Sequence, residues 1–374
     1  MSIGSKSGGL ALMHIYVGTF TDGFMGGAPS EGLYIFDFDG DALRAKPVGI
    51  ARDVFSPSYL ALDAAGRRLY AAERQLDIDD RTTGAISAWS IAADGGLAPL
   101  WKIASGGANC AHISVAPDGR SLAVANPLGP TVALCRLGAD GRPDGPLRIA
   151  RHEGRGARPR QAEPWPHSAY FDRDGARLLA CDLALDRIFV YRTDARGMGL
   201  PPGPQPFAQV HSGAGARHMA WSRDGATAYV ANELDSTLSV FAYDGESGSL
   251  ICKQTLLSVA DEAQAEGNQP AEIMVSPDGR HLYVSNRGAD CISVLAIDAV
   301  TGRLAHASQA LVHGRVPRNI CLSPDGRFAF VANQLSGQIG LYRVDGASGT
   351  LAYAGVLCEV PNPSCIVLFD SGFG

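Results

Sequence analysis

The chain has 374 residues and a mass of 39.2 kDa, enough for two or three ordinary domains or for one large repetitive domain. Hydrophobic residues make up 46% of it and charged residues 19%, which excludes a disordered chain or a coiled coil. The formal net charge of -6 provides no basic field for nucleic acid or an anionic membrane, so we expect neither as a partner. The 45 glycines and 22 prolines are typical of many tight turns between short strands.

Residues 1–13 are predicted to form a flexible leader, because their short apolar run is too weak for a secretory signal. We expect one domain over residues 14–374. No apolar stretch reaches the roughly 18 residues that a membrane span requires. The eight cysteines lie in apolar runs without close partners, which predicts small buried thiols in a cytoplasmic protein.

One turn motif, a glycine between two short apolar runs, recurs six times along the chain. Its glycines lie at positions 66, 119, 175, 225, 279 and 326, with a mean spacing of 52 residues. The turn glycine, usually preceded by Asp, tolerates a positive φ, as hairpins require. A third and a fourth strand-like run follow each turn. Four antiparallel strands in about 52 residues are typical of a β-propeller blade.

A seventh blade is predicted from the two ends of the chain. Residues 14–19 and 32–38 match the second and third strands of a repeat, and residues 363–369 match a first strand. Joining them would close the ring without leaving a free sheet edge at the seam. The sequence therefore predicts an all-β fold, a seven-bladed β-propeller with four antiparallel strands per blade.

Unusual polar residues concentrate where first strands begin and second strands end, which is one mouth of the axial channel. The recurring residues Asn126, Asp182, Asn232, Asn286 and Asn333 are interpreted as architectural. The candidates are residues that break the repeat: His167, Arg217, Glu233, Glu272, Arg287 and Arg318. A carboxylate, an imidazole and several guanidiniums suit the activation of water beside a bound anion. No motif for a metal, a phosphate loop or a nucleophilic serine occurs, so no cofactor is expected.

Ten short segments, in a fixed order and spacing, give the sequence a family resemblance that covers nearly the whole chain. They are residues 16–19, 160–161, 166–168, 182–187, 215–218, 231–234, 271–273, 276–280, 285–288 and 317–318. The chain resembles the lactonase family of seven-bladed propellers, which includes bacterial 6-phosphogluconolactonases and fungal carboxymuconate lactonizing enzymes. It departs from the family pattern at residues 126–130 and at Trp165, both of which we expect to border the mouth.

The resemblance implies lactone chemistry, with His167, Arg217, Glu233 and Arg287 matching catalytic positions. The further residues expected to bind substrate are Tyr59, His112, Arg160, His218, Glu272, Arg318 and Gln334. The favoured prediction is hydrolysis of an anionic sugar lactone, such as 6-phosphogluconolactone, by a monomer or weak homodimer. Either Glu233 or His167 could be the base. The alternatives are a lactonizing or isomerising enzyme or hydrolase for a carboxylated lactone (a carboxymuconolactone or an aldaric acid lactone), and a non-enzymatic binding scaffold.

Overall fold

The computed structural model describes residues 13–77, 82–193 and 199–370. Within these residues, 28 strands form seven antiparallel sheets of four strands each. This confirms the predicted seven-bladed propeller.

Each blade runs from an innermost strand at the channel to an outermost strand at the rim. Blade 1 contains β28 (Pro363–Asp370), β1 (Met13–Thr19), β2 (Leu33–Asp39) and β3 (Arg44–Ala51). Blade 2 contains β4 (Pro57–Leu62), β5 (Arg68–Glu73), β6 (Ala85–Ile91) and β7 (Leu97–Ala104). Blade 3 contains β8 (His112–Val115), β9 (Ser121–Asn126), β10 (Thr131–Arg136) and β11 (Arg148–Arg151). Blade 4 contains β12 (Pro166–Phe171), β13 (Arg177–Asp182), β14 (Arg187–Arg192) and β15 (Pro202–Gln209).

Blade 5 contains β16 (Ala216–Trp221), β17 (Thr227–Asn232), β18 (Thr237–Asp244) and β19 (Ser249–Leu257). Blade 6 contains β20 (Gln269–Val275), β21 (His281–Arg287), β22 (Cys291–Ile297) and β23 (Leu304–Leu311). Blade 7 contains β24 (Pro317–Leu322), β25 (Phe328–Asn333), β26 (Gln338–Val344) and β27 (Leu351–Glu359). Three short 3-10 helices lie in connecting segments: Phe24–Gly26, Pro159–Gln161 and Glu262–Gln264.

Blade 1 is built from both ends of the described chain, as the sequence predicts. Strand β28 pairs with β1 in antiparallel register, with Val17 opposite Ile366 and Tyr16 opposite Val367. Strand β1 begins at Met13, one residue before the predicted start of the domain. The rest of the predicted leader, residues 1–12, lies outside the described residues.

The six turn glycines all have a positive φ, between 62° and 77°. Each amide donates a hydrogen bond to the carbonyl three residues earlier, as Gly119 does to Ala116 at 2.8 Å. These turns join the first and second strands of blades 2 to 7, at the end of the channel opposite the predicted mouth. They confirm the turn prediction, and they fix the register that brings the site residues to the mouth.

Apolar side chains pack between neighbouring blades, and each hydrophobic cluster is shared by two sheets, as where Ile15 and Phe36 of blade 1 meet Phe330 of blade 7. All eight cysteines are free, but the expectation that all are buried is wrong for two of them. Cys252 is exposed and Cys358 is half-buried, because both lie on outermost strands, where one face meets solvent. No helix of the described ranges is long and apolar enough to cross a membrane.

Candidate functional site

A polar cavity of about 100 Å³ occupies the predicted mouth of the channel. Its lining comes from six blades and from the segment that joins β1 to β2. The lining residues are Phe20, Phe24, Met25, Ser58, Arg74, Asn109, Ala111, Pro127, Arg160, Trp165, His167, Glu233, Gln269, Arg287 and Arg318.

The innermost strands bulge at this mouth. In blades 4, 5 and 7, two residues of the innermost strand lie opposite one residue of the second strand. The extra residue in these bulges is His167, Arg217 and Arg318, respectively. The bulges of blades 4 and 7 follow Pro166 and Pro317, which have no amide hydrogen to donate to a ladder. Because a bulge redirects the side chain of its extra residue, the same local device presents three site residues at one end of the channel.

A second row of site residues directly follows the second strand of each blade. Glu233 follows β17, Arg287 closes β21 and Arg74 follows β5. Pro127 and Phe20 occupy the same repeat position in blades 3 and 1. The first and second strands of a blade are antiparallel neighbours, so the bulge row and this row meet at the same mouth.

Glu233 lies at the centre of an arginine cluster. Its Oε2 accepts hydrogen bonds from Arg217 Nε at 2.8 Å and from Arg287 Nη2 at 2.7 Å, while its Oε1 accepts one from Arg160 Nη2 at 2.7 Å. Burial alone would raise the pKa of Glu233, but Arg287, Arg217 and Arg160 outweigh burial and lower it to about 2. Glu233 is therefore a carboxylate at neutral pH and a poor proton acceptor.

Arg217 lies behind the cavity and does not line it. The side chain is buried, with 2% of the residue exposed, and its Nη1 donates to the Ala271 carbonyl at 2.6 Å. Burial and the neighbouring Arg287 lower the pKa of Arg217 to about 10, which still leaves it charged at neutral pH. Arg217 thus fixes the position of the Glu233 carboxylate from the side away from the cavity, and Glu233 in turn fixes the position of the Arg287 guanidinium.

Arg318 differs from these arginines because no described carboxylate lies within ion-pair distance of it. Its Nη1 contacts Gln334 Oε1 at 3.4 Å, and its guanidinium lies 5.0 Å from the centre of the Phe20 ring. Burial, Arg217 and Arg287 lower the pKa of Arg318. A guanidinium crowded by other cations and lacking an anionic partner is suited to bind an anionic ligand.

His167 is the imidazole on the cavity wall. Its Nδ1 is fully buried and has no hydrogen-bond partner among the described residues, so Nε2 is the nitrogen that faces the cavity. Burial, followed by Arg217 and His218, lowers the pKa of His167 well below its ordinary value. The imidazole is therefore neutral at neutral pH and able to accept a proton.

A second polar layer lies in the channel beneath the cavity. His218 Nδ1 is 3.1 Å from Glu272 Oε1, and the Tyr59 hydroxyl donates to Glu272 Oε2 at 3.1 Å. The rings of Tyr59 and His112 lie 4.3 Å apart between their centres at a tilt of 33°, and Asn319 donates to Glu272 Oε2 at 2.6 Å. Burial raises the pKa of Glu272 and lowers the pKa values of His112 and His218.

The structure brings together the four residues predicted to be catalytic. His167, Glu233 and Arg287 line the cavity, and Arg217 touches Glu233 from behind. Of the residues predicted to bind substrate, two line the cavity and five do not. Arg160 and Arg318 line it, Gln334 lies behind Arg318, and Tyr59, His112, His218 and Glu272 belong to the lower layer.

Sequence reasoning missed several lining residues. Arg74 and Phe20 could have been found, because each directly follows a second strand, as Glu233 does. Phe24 and Gln269 lie in segments that obey no repeat, and the sequence contains no signal for them. The described residues contain no group of three or more His, Cys, Asp or Glu arranged to hold a metal ion.

The model of the lactonase family of seven-bladed β-propellers matches residues 14–368. The chain belongs to this family. A 6-phosphogluconolactonase of Bacillus subtilis is 30% identical over 292 residues, which are 78% of this chain and 79% of that protein. A 6-phosphogluconolactonase of Formosa agariphila is 29% identical over 298 residues, covering 78% of this chain and 80% of that protein. The structure of a periplasmic gluconolactonase of Pseudomonas aeruginosa aligns with a TM-score of 0.86 at 31% identity, over 96% of this chain and 99% of that one.

The two departures from the lactonase pattern lie on the cavity wall. Pro127 follows β9, and Trp165 immediately precedes β12 and the His167 bulge. The backbone amide of Trp165 donates to Asp182 Oδ1 at 2.9 Å, which fixes the approach to β12. Neither side chain carries a charge or can accept a proton, so Pro127 and Trp165 contribute shape and not charge to the cavity wall.

Proposed function

We propose that this protein hydrolyses an anionic sugar lactone, with 6-phosphogluconolactone as the favoured substrate. The observation that carries the proposal is a neutral imidazole, His167, in one cavity with two arginines, Arg287 and Arg318. The site holds five guanidiniums, of Arg74, Arg160, Arg217, Arg287 and Arg318. Among the described residues, Glu233 forms ion pairs with Arg160, Arg217 and Arg287, and Asp22 forms one with Arg74. The names of the bacterial relatives support the same substrate class.

In the proposed reaction His167 Nε2 removes a proton from water as the water oxygen bonds to the lactone carbonyl carbon. The carbonyl oxygen gains negative charge in the tetrahedral intermediate. Collapse of that intermediate breaks the bond from the carbonyl carbon to the ring oxygen, and the imidazolium returns its proton to that oxygen. The product is an open-chain hydroxy acid, whose new carboxyl group ionises and releases one proton.

The arginines supply charge at two places. Arg287 is fixed by Glu233 and by the Gln269 carbonyl, 3.2 Å from its Nε, so its guanidinium is already oriented to stabilise the developing oxyanion. Arg318 has no described carboxylate partner, and we assign it to the phosphate or carboxylate of the substrate. Arg217 acts through Glu233 and is a positioning residue.

This geometry favours His167 over Glu233 as the base. Glu233 accepts three hydrogen bonds from arginines, which stabilise its ionised form and weaken it as a base. We further propose that the protein is cytoplasmic, since all eight cysteines are free thiols, and that it is a monomer or weak homodimer.

The test is a proton-release assay on 6-phosphogluconolactone and on unphosphorylated gluconolactone, with spontaneous hydrolysis subtracted. His167→Asn is expected to lower kcat by about 100-fold to 10,000-fold, as for a lost general base. Arg318→Gln is expected to raise KM for the phosphorylated lactone and to leave KM for the neutral lactone nearly unchanged. His306→Asn is the matched control, because His306 is exposed on β23.

Wild-type rates equal to the spontaneous background on all lactones, including carboxymuconolactones and aldaric acid lactones, would contradict the proposal. Turnover only in the direction of ring closure from the open acid would support the lactonizing alternative. Binding of a protein partner without any lactone turnover would support the scaffold alternative.

A further inference from the structure

The residue just before the third strand has the same conformation and the same backbone contact in blades 4 to 7. Its φ is positive, and its carbonyl accepts a hydrogen bond from the amide that follows the outermost strand of its own blade. The φ values are 55°, 61°, 47° and 64°, for Asp186, Ser236, Asp290 and Gly337. Because the backbone at these four positions is equivalent, their side chains can be compared directly.

In blade 4 this residue is Asp186, whose carboxylate reaches the segment that enters blade 5. Its Oδ1 accepts a hydrogen bond from the Gly215 amide at 2.8 Å, and its Oδ2 accepts one from the Gly213 amide at 2.7 Å. Gly215 lies two residues before Arg217, the bulge residue of blade 5, and its carbonyl accepts a hydrogen bond from the Glu233 amide at 2.8 Å. Asp186 therefore fixes the backbone that connects Arg217 to Glu233.

In blade 6 the equivalent residue is Asp290, which makes the same connection to blade 7. Its Oδ1 accepts a hydrogen bond from the Val316 amide at 2.9 Å. Val316 lies two residues before Arg318, the bulge residue of blade 7, and its carbonyl accepts a hydrogen bond from the Gln334 amide at 2.9 Å. Asp290 therefore holds the backbone position in front of Arg318 that Asp186 holds one bulge earlier.

The backbone that Asp290 holds is strained. Val316 has a φ of 59°, in the left-handed region that a β-branched side chain rarely adopts. The same position in blade 5 is Gly215, which adopts its φ of 78° without steric cost. Strain of this kind persists only where surrounding contacts enforce it. The hydrogen bond to Asp290 is such a contact, so its loss should release Val316 and displace Arg318.

The other two equivalent positions lack a carboxylate, and no arginine follows them. Ser236 and Gly337 precede blades 6 and 1, whose bulge residues are Ala271 and Ser364. An amide that donates to a carboxylate is held roughly twice as strongly as one that donates to a neutral oxygen. Among these four blades, the stronger acceptor thus stands one blade ahead of each arginine bulge.

We propose that Asp186 and Asp290 are positioning residues with separate tasks. Asp186 sets the position of Glu233, and through it the orientation of Arg287. Asp290 sets the position of Arg318. The inference rests on the proposed function, in which Arg287 stabilises the oxyanion and Arg318 binds the anionic group of the substrate. Loss of Asp186 should therefore lower kcat, and loss of Asp290 should raise KM for the anionic lactone.

The first experiment compares Asp290→Ala with Asp186→Asn in the proton-release assay. Asp290→Ala is expected to raise KM for 6-phosphogluconolactone by about 10-fold, while kcat and the KM for gluconolactone stay within about threefold. In Asp186→Asn one acceptor oxygen remains, but the amino group cannot accept from an amide, so one bond to residues 213–215 is lost. This variant is expected to lower kcat by about 10-fold and to keep KM within about threefold.

Asp172→Asn is the matched control for a general loss of stability. Asp172 is a buried aspartate of blade 4 that also accepts a backbone hydrogen bond, from the Arg177 amide at 3.0 Å, but it lies at the end of the channel opposite the mouth. Its variant is expected to unfold at a lower temperature and to keep kcat and KM unchanged. If Asp186→Asn and Asp290→Ala change kcat and KM in the same way, the two separate tasks are wrong.

The second experiment uses the strain at Val316. Because glycine adopts a positive φ freely, Val316→Gly removes the need for the Asp290 hydrogen bond. The KM of the double variant Asp290→Ala/Val316→Gly should lie within about threefold of that of Val316→Gly alone. A double variant as impaired as Asp290→Ala would overturn the role of Asp290.

The third measurement does not depend on activity. In a crystal structure of Asp290→Ala, the Arg318 guanidinium should be displaced by about 1 Å or more, a distance that is enough to impair a site. In Asp186→Asn, Glu233 should move and Arg318 should not. An Arg318 that stays in place in Asp290→Ala overturns the inference, whatever the kinetics. The expected displacements in a protein that hydrolyses no lactone would leave both positioning roles standing and contradict the proposed function.

Discussion

In the proposed mechanism, Glu233 orients the arginines of the site and takes no part in the proton transfers. Its carboxylate compensates three arginines, of which Arg217 is buried. Removing one partner of such a cluster leaves an uncompensated buried charge, which costs more than the pair itself contributes. The interpretation as a positioning residue therefore predicts a stability effect that a solvent-exposed base would not produce.

Glu233→Gln is expected to lower the free energy of unfolding by about 3–5 kcal/mol at pH 7. The folded-state pKa of Glu233 is lowered to about 2, so its stabilising contribution is present above about pH 4.3 and is lost as the pH falls toward 2. Urea unfolding at several pH values should show the difference between wild type and variant shrinking over that range.

Glu73→Gln provides the control of opposite sign. Glu73 is equally buried and is paired with Lys102 at 2.8 Å, but burial raises its pKa. In mild acid, the free energy of unfolding of Glu73→Gln should therefore fall further below that of the wild type. A Glu233→Gln difference that does not change with pH would contradict the arginine-cluster interpretation.

At the scale of elements, the segment that joins β1 to β2 covers part of the cavity. Phe24 lies 4.0 Å from the Arg74 guanidinium and 5.7 Å from that of Arg318, and Phe20 contacts the same two arginines. Rings of this kind stabilise cations and shield them from water. The segment thus holds both arginines with its rings. It also supplies Asp22, whose Oδ2 pairs with Arg74 Nη1 at 3.0 Å, but it places no carboxylate within ion-pair distance of Arg318.

Phe24→Ala is expected to raise KM for the anionic lactone by about 3-fold to 10-fold, because Arg74 and Arg318 lose a ring contact of about 1 kcal/mol. The value of kcat should change little, since the substitution leaves His167, the proposed base, in place. Phe207→Ala is the matched control, because Phe207 supports Arg187 at 4.2 Å on β14 and β15, away from the cavity. Equal KM values for the two variants would refute a role of the segment in the site.

The elements themselves could be predicted from the sequence because each blade repeats one turn at regular spacing, and the turn glycines have the expected positive φ. The two rows of residues at the channel mouth could be predicted in part for the same reason. The sequence does not predict how deep along the channel each side chain lies. Arg318 and Glu272 both lie near the starts of first strands, yet Arg318 is a bulge residue on the cavity wall and Glu272 lies in the layer below. A shift of one residue reverses such an assignment. A proline precedes the bulge residue in blades 4 and 7, but Ala216 precedes Arg217 in blade 5, so this signal is not present in every blade.

For the whole molecule, the ring depends on the pairing of β28 with β1. Removing residues 365–374 deletes most of the innermost strand of blade 1 and exposes the edge of β1. We expect the variant to lose cooperative unfolding and to aggregate, as measured by thermal unfolding and light scattering. Removal of residues 371–374 alone is the control and should preserve the transition, because β28 ends at Asp370.

The bulge position has a further use, for classification. Around the ring from blade 1 to blade 7, this position is occupied by Ser364, Ser58, Ala111, His167, Arg217, Ala271 and Arg318; in blade 3 it lies just before β8 and forms no bulge. The position equivalent to Glu233 is occupied in the same order by Phe20, Arg74, Pro127, Leu183, Glu233, Arg287 and Gln334; it follows the second strand in every blade except blade 6, where Arg287 is the last residue of β21. Because each blade contributes one residue to each row, two seven-letter signatures, SSAHRAR and FRPLERQ, describe much of the mouth. Relatives can be sorted by these letters even where overall identity is low, and chains that keep the imidazole and the arginines can be separated from chains that share only the propeller.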